Sequence, residues 1–170
     1  EKSLICGNGG TATITVNGRP VTINASGMLN RIPLAVDMNR GIKLSVANEN
    51  LPVYGISFES PSGIILDNFS FRGITGIEFA RVDSVFMKAI AAGNPYDLII
   101  FQYGVNLLFR PNDRNFNWYA KAMLTVVKKI RNCFEKTDFL LVSTADRAFR
   151  YGGEYKSAVG IDSLIKIQAT

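Results

Sequence analysis

Asp97-Leu-Ile-Ile-Phe-Gln-Tyr-Gly-Val-Asn106 is the stretch on which the fold turns. Residues 97–103 form a near-continuous apolar run, too short for a helix and without the alternation of a half-wet strand. Such a run predicts a strand covered on both faces, as in a parallel sheet. Its flanks agree. Residues 77–92 carry apolar side chains at helical spacing (Ile77, Phe79, Ala80, Val82, Val85, Phe86, Ala89, Ile90), and Gly93-Asn94-Pro95 stops them. Residues 115–134 predict a second helix, with Trp118, Ala122, Met123, Val126, Val127 and Ile130 inward. Phe139-Leu-Leu-Val142 is a further buried strand, and residues 155–168 predict a third helix interrupted by Gly160. With the earlier run Gly63-Ile-Ile-Leu-Asp67, residues 63–168 read β-α-β-α-β-α. That order predicts a parallel sheet with helices on both faces.

Upstream the pattern is different. Thr11-Ala-Thr-Ile-Thr-Val16 and Pro20-Val-Thr-Ile-Asn24 alternate, and Asn17-Gly18 lies near the turn between them, a strong hairpin signal. Runs at 32–36 and 42–46 extend an antiparallel sheet with one wet face. Val53-Tyr-Gly-Ile-Ser-Phe58 follows, then turn chemistry at Ser60-Pro61-Ser62-Gly63. The division expected is a β-rich region over 1–52 and an α/β part over 53–170.

Composition bounds the chemistry. The chain has 170 residues, 47% hydrophobic and 19% charged, which excludes disorder and low-complexity classes. No apolar run approaches the ~20 residues of a membrane-spanning helix, and no secretory leader is visible in these residues. The count of His is 0, so no Ser-His or Cys-His pair and no His-containing zinc site can be built within these residues. Cys6 and Cys133 lack metal-ligand spacing, so no metal is expected. The net charge of +5 is scattered, densest at Lys128, Lys129 and Arg131, where cations favour a helix end. No Lys/Arg stripe interleaved with aromatics is present, so nucleic acid is not an expected partner.

In open α/β sheets, sites form at the carboxyl ends of strands. Three such ends stand out: Phe71-Arg-Gly-Ile-Thr-Gly76, Tyr103-Gly-Val-Asn106 and Ser143-Thr-Ala-Asp-Arg147. Glycines in the first let backbone N–H groups approach an anion. Asn106 in the second offers a neutral amide donor. Together they have the makings of an oxyanion hole. The ordinary reading is a turn glycine and a helix-capping Asn. Asp146-Arg147 is either a functional carboxylate or a loop-shaping pair. Gly7-Asn-Gly-Gly10 precedes a strand rather than a helix and has no Lys-Ser/Thr after it, so it is not a phosphate loop.

The ordered set Val53–Glu59, Gly63–Asn68, Phe71–Gly76 and Asp97–Asn106, with Leu141–Arg147 and Gly153-Glu-Tyr155, resembles the SGNH (GDSL-type) hydrolases. It looks most like a bacterial branch with a β-rich insertion between the first and second conserved blocks. The resemblance covers residues 53–168. It implies a three-layer, flavodoxin-like sheet, here incomplete, with a β-rich N-terminal region. It implies acyl-ester hydrolysis by Ser, His and Asp, and two oxyanion donors. Gly76 matches the second-block donor, with Gly73 as a rival; Asn106 matches the third-block donor, with Gly104 as the turn glycine before it. Gly73, Gly104 and Asp146 are the expected substrate-binding positions. The substrate class implied is acylated carbohydrate or another small ester, outside the cytoplasm, with no cofactor.

The departures are specific. No Gly-Asp-Ser precedes residue 53, no Asp-x-x-His follows residue 147, and Leu107 stands where the family often has Asp. These residues alone are therefore expected to be inactive. The Ser-bearing strand is central in a flavodoxin-like order. Its slot is expected to be filled by another polypeptide piece, by a neighbouring copy, or by the Ser3-Leu-Ile-Cys6 run. A non-catalytic, carbohydrate-binding or scaffolding module is the alternative function. A flavodoxin-like nucleotide or flavin binder is a third, since fold alone does not exclude it.

Overall fold

The computed structural model describes residues 1–36, 41–47, 50–60, 62–110 and 112–169. The chain divides into two compact units, Glu1–Asn68 and Phe69–Thr170.

The first unit is antiparallel. β1 (Lys2–Cys6) is the middle strand of a sheet ordered β4–β1–β6, with β4 at Asn30–Pro33 and β6 at Val53–Phe58. β2 (Gly10–Val16) is the middle strand of a second sheet, between β3 (Arg19–Ala25) and β5 (Leu44–Val46). Alternation decides which side chains enter the core. Leu4 and Cys6 from β1, Ala12, Ile14 and Val16 from β2, and Ile23 and Ala25 from β3 form one buried cluster with Leu34 and Leu51. The β2–β3 hairpin turns at Asn17 (φ 49) and Gly18 (φ 81), the paired positive φ values of a turn that follows strand twist. Pro20 and Pro33 lie in edge strands, where a missing N–H costs no ladder bond.

Three sequence expectations are corrected here. The Ser3–Cys6 run does not enter a parallel sheet; it is bonded on both sides as part of β1. β6, expected in the α/β part, pairs with β1, Leu4 opposite Ile56. Gly63–Asp67 is not a strand, because it finds no ladder partner: Ile64 is 100% exposed and Leu66 85%. Pro61 of the expected turn lies outside the described residues.

The second unit is built on two parallel strands, β7 (Leu98–Gln102) and β8 (Asp138–Val142), in register Leu98↔Asp138 to Gln102↔Val142. Helix α1 (Ser84–Gly93) leads into β7, and α2 (Asn117–Cys133) crosses from β7 to β8. Met87 of α1 and Val126, Ile130 and Cys133 of α2 close over Phe101, with Ile99 and Phe139 beside it. Among the described residues these two helices cover one face of the pair, where helices on both faces were expected. The inward stripe of α2 is offset from the expected one. It runs through Tyr119, Met123, Val126, Ile130 and Cys133, and Trp118 is exposed.

Two expected helices are reshaped by local chemistry. The 77–92 helix breaks at Val82, which is extended (ψ 132), and the Asp83 carboxylate accepts the Val85 N–H to start α1 afresh. What precedes the break is a 3-10 helix, Ile77–Arg81. The 155–168 helix loses its first turns to a hairpin of β9 (Ala148–Tyr151) and β10 (Glu154–Ser157). Gly152 (φ 55) and Gly153 (φ 96) supply that turn, and α3 occupies only Ile161–Gln168.

The first unit carries an acid-sensitive clamp. Arg31 grips Glu59 with two N–H···O bonds of 2.8 and 3.0 Å, and the Ser57 hydroxyl donates to the same carboxylate at 2.6 Å. Arg31 and Ser57 hold the Glu59 carboxyl down at about 2 from an ordinary 4.5. A depressed carboxyl stabilises the fold above its unfolded value and ceases to do so as pH falls through its folded value. Melting curves of the chain are expected to lose stability between pH 4.5 and about 2, and Glu59→Gln is expected to flatten that limb.

Candidate functional site

The carboxyl ends of β7 and β8 are tied together by one side chain. The Gln168 amide donates to the Tyr103 carbonyl (2.7 Å) and its oxygen accepts the Thr144 N–H (2.9 Å). Its carboxamide thus substitutes for a peptide group where the two chains part. Gly104 sits at this joint with φ 121, and a Cβ there would lie 2.8 Å from Gln168 Nε2. Just beyond, a 3-10 turn (Val105–Leu107) carries Asn106. The Asn106 amide donates to the Ile74 carbonyl at 2.7 Å. Leu107 and Leu108 anchor the turn from below, in a cluster with Phe116, Tyr119 and Leu164.

The second predicted strand end therefore meets the first. Asn106 is joined to the loop two residues before Gly76. The Tyr119 hydroxyl donates to the Thr75 carbonyl at 2.8 Å and pins the same loop from α2. Burial pushes the Tyr119 phenol up to about 12, so it stays a donor at neutral pH. Gly76 is buried with φ 96, and a Cβ there would meet the Phe101 and Tyr103 rings at 3.0 Å. No L side chain fits that combination of conformation and contact.

The Gly76 N–H is already engaged. It donates to Glu78 Oε2 at 2.9 Å, beside the Thr75 N–H at 3.0 Å. The Thr75 hydroxyl donates to the same carboxylate at 3.3 Å, so Glu78 folds back over the two residues that precede the 3-10 helix. Burial opposes the Glu78 charge, yet the donors from Thr75 and Gly76 outweigh it and hold the carboxyl below its ordinary value. These two N–H groups therefore stabilise a carboxylate in the folded protein.

Other expected residues stand apart. Gly73 (φ 87) is exposed, with open space where a Cβ would go. Asp146 is exposed, and its carboxylate accepts the neighbouring Arg147 N–H at 2.7 Å. Arg147 does reach the site: its guanidinium donates to the Val105 carbonyl at 3.2 Å. A shallow depression of about 380 Å³ lies between Arg114, Asn115, Asn117, Ser163, Lys166 and Ile167, none of them an expected site residue. Among the described residues no group of three or more Cys, Asp or Glu gathers as a metal site, and no helix is long and apolar enough to cross a membrane.

Sequence reasoning missed Glu78, Tyr119, Thr144 and Gln168. The Thr75-x-x-Glu78 spacing was a legible local signal. Nothing in the local sequence marks Gln168, whose partners lie 24 and 65 residues away.

Comparisons add the fold. No family model matches the chain, and no curated protein matches it. A solved peptidoglycan O-acetylesterase is similar over 99% of this chain, with a TM-score of 0.66 and 20% sequence identity. The chain spans about half of that structure, 47% of its length. At this identity the likeness establishes a shared mixed α/β fold.

Two substitutions gauge the site's construction. Gly76→Ala is expected to cost about 1–2 kcal/mol or more, from forced positive φ and ring contact. Gln168→Ala is expected to cost about 1–3 kcal/mol, by leaving the Tyr103 carbonyl and Thr144 N–H without their partner. Urea unfolding followed by Trp118 fluorescence measures both.

Proposed function

We propose that this chain is part of an SGNH-type serine esterase that removes acyl groups, acetyl above all, from carbohydrate. Gly76 and Asn106 supply its oxyanion hole, and the nucleophile and base come from outside these residues. The observation that carries the reading is the junction at the end of β7, where the Asn106 amide is bonded into the Gly76 loop. An amide of this type has two N–H donors, and one of them is used on Ile74. The loop's own N–H groups already hold a carboxylate, a resting partner that a tetrahedral oxyanion would replace. Serine attack on the ester carbonyl places negative charge on its oxygen, and these donors would stabilise it once the Glu78 carboxylate gives way.

Several finer assignments belong to the same proposal. Gly104 shapes the turn that presents Asn106, while Gly73 and Asp146 are assigned to substrate contact from the family resemblance alone. An acetylated glycan is the substrate, as the similar solved O-acetylesterase encourages, and the setting is periplasmic or extracellular. A further polypeptide piece completes the sheet. Nucleic acid is not a partner and no cofactor is required.

A second reading has its own observation. Both donor groups are bonded within the protein, and the chain has no His. A non-catalytic module that binds glycan or scaffolds a partner would show this arrangement.

Kinetics separates the two. The 170-residue chain alone is expected to give no aryl-acetate turnover above buffer. In the product of the complete reading frame, Asn106→Ala is expected to lower kcat by about 10²-fold with little change in KM, as for loss of one oxyanion donor. Unchanged kcat would remove Asn106 from the mechanism. No ester hydrolysis by the complete product would favour the binding module.

A further inference from the structure

The depression between the segment leading into α2 and the outer stripe of α3 has walls that are locked together. Gly160 lies so close to the 113–116 segment that a Cβ on it would sit 2.0 Å from the Asp113 carbonyl oxygen and 2.7 Å from the Phe116 ring. Phe116 is itself buried with Leu164, and Ile161 and Ile167 pack against the same cluster. Arg114, Asn115 and Asn117 form one wall and Ser163, Lys166 and Ile167 the other, with about 380 Å³ between them. That volume falls at the low end of the roughly 300–1,000 Å³ of small-molecule sites.

Its chemistry is one-sided. Two of the six lining side chains are cations, and among the described residues that line it none is a carboxylate. The Asn115 side-chain oxygen accepts the Asn117 N–H at 3.1 Å, so its amide N–H groups are what it offers a ligand. Ile167 and the aliphatic stems of Arg114 and Lys166 add a small apolar surface. Positive donors beside an apolar patch suit a ring with an apolar face that carries an anionic group, such as a pyranose bearing a carboxylate or a phosphate. The place matters as well. Asn117 stands two residues ahead of Tyr119, which pins the Thr75 carbonyl, and Ile167 directly precedes Gln168, which closes the rim. The depression thus shares its two supporting elements with the candidate site.

We infer that this depression is a subsite for an anionic sugar unit of the glycan, its carboxylate or phosphate held by Arg114 and Lys166. That the ligand is a sugar rests on the proposed function; that it is anionic rests on the lining residues alone.

The test is isothermal titration calorimetry on the full 170-residue chain. The probes are N-acetylmuramic acid, which carries a carboxylate, N-acetylglucosamine 6-phosphate, and neutral N-acetylglucosamine. At least one acidic sugar is expected to bind about tenfold more tightly than the neutral one, and which of them does so names the anion. Arg114→Ala and Lys166→Ala alter exposed positions, so both should fold, with unchanged far-UV circular dichroism. Each is expected to weaken the acidic sugar about fivefold or more. Lys128→Ala removes the same charge from an exposed position farther along α2 and is expected to leave binding as it was. Three results would overturn the inference: no preference for either acidic sugar; equal weakening by Lys128→Ala, meaning net charge alone; or sodium acetate and inorganic phosphate binding as tightly as the sugars that carry those groups, meaning no place for the ring. Acidic-sugar binding without ester turnover by the complete gene product would count against the esterase reading and keep this inference; turnover without such binding would do the reverse.

Discussion

Two parallel strands cannot be joined by a tight turn; a crossover element must carry the chain back to the start. That constraint organises the second unit. α2 makes the return from β7 to β8, so both strands end on one rim. Tyr103, Gly104 and Asn106 leave β7 at that rim, and Thr144 leaves β8 there. The chains diverge at this point, and the backbone groups they expose need partners. Gln168, from the last turn of α3, supplies two bonds at once. Three segments distant in sequence are thereby fixed together, and the Asn106 turn stands on that joint.

The Gly76 loop depends on the same scaffold. It is held by Asn106 at Ile74, by Tyr119 at Thr75 and by Glu78 at Gly76. Phe101 and Tyr103 lie beneath it, close enough that only glycine fits. The aromatic floor is itself part of the core, through the tilted Phe101–Tyr103 pair and the Phe79 contact to each ring. Core packing and site geometry are therefore coupled. A loop set down on rigid rings, with its N–H groups fixed by a carboxylate, is preorganised for negative charge.

The first unit follows a different logic. Its strands alternate, one pair is a local hairpin while the others join distant segments, and one apolar cluster serves both sheets. β6 belongs to it because β1 offers a free edge with matched alternation. The Ile64–Leu66 run has comparable apolar content but no strand beside it, and it remains exposed. β-structure is a pairwise state, so a run with no partner has no ladder to join, whatever its propensity.

Periodicity and turn chemistry in the sequence alone determined the Asn17-Gly18 hairpin, the strands at β7 and β8, and the α2 helix between them. These are local properties, set by side-chain spacing and backbone sterics. Tertiary structure decided the rest: that β1 pairs with β6, that 63–67 forms no strand, that Tyr119 rather than Trp118 faces inward, and that Gln168 closes the rim. Each of those depends on which distant segment arrives alongside, because a hydrogen bond or a buried face has two sides and a stretch of sequence specifies only one.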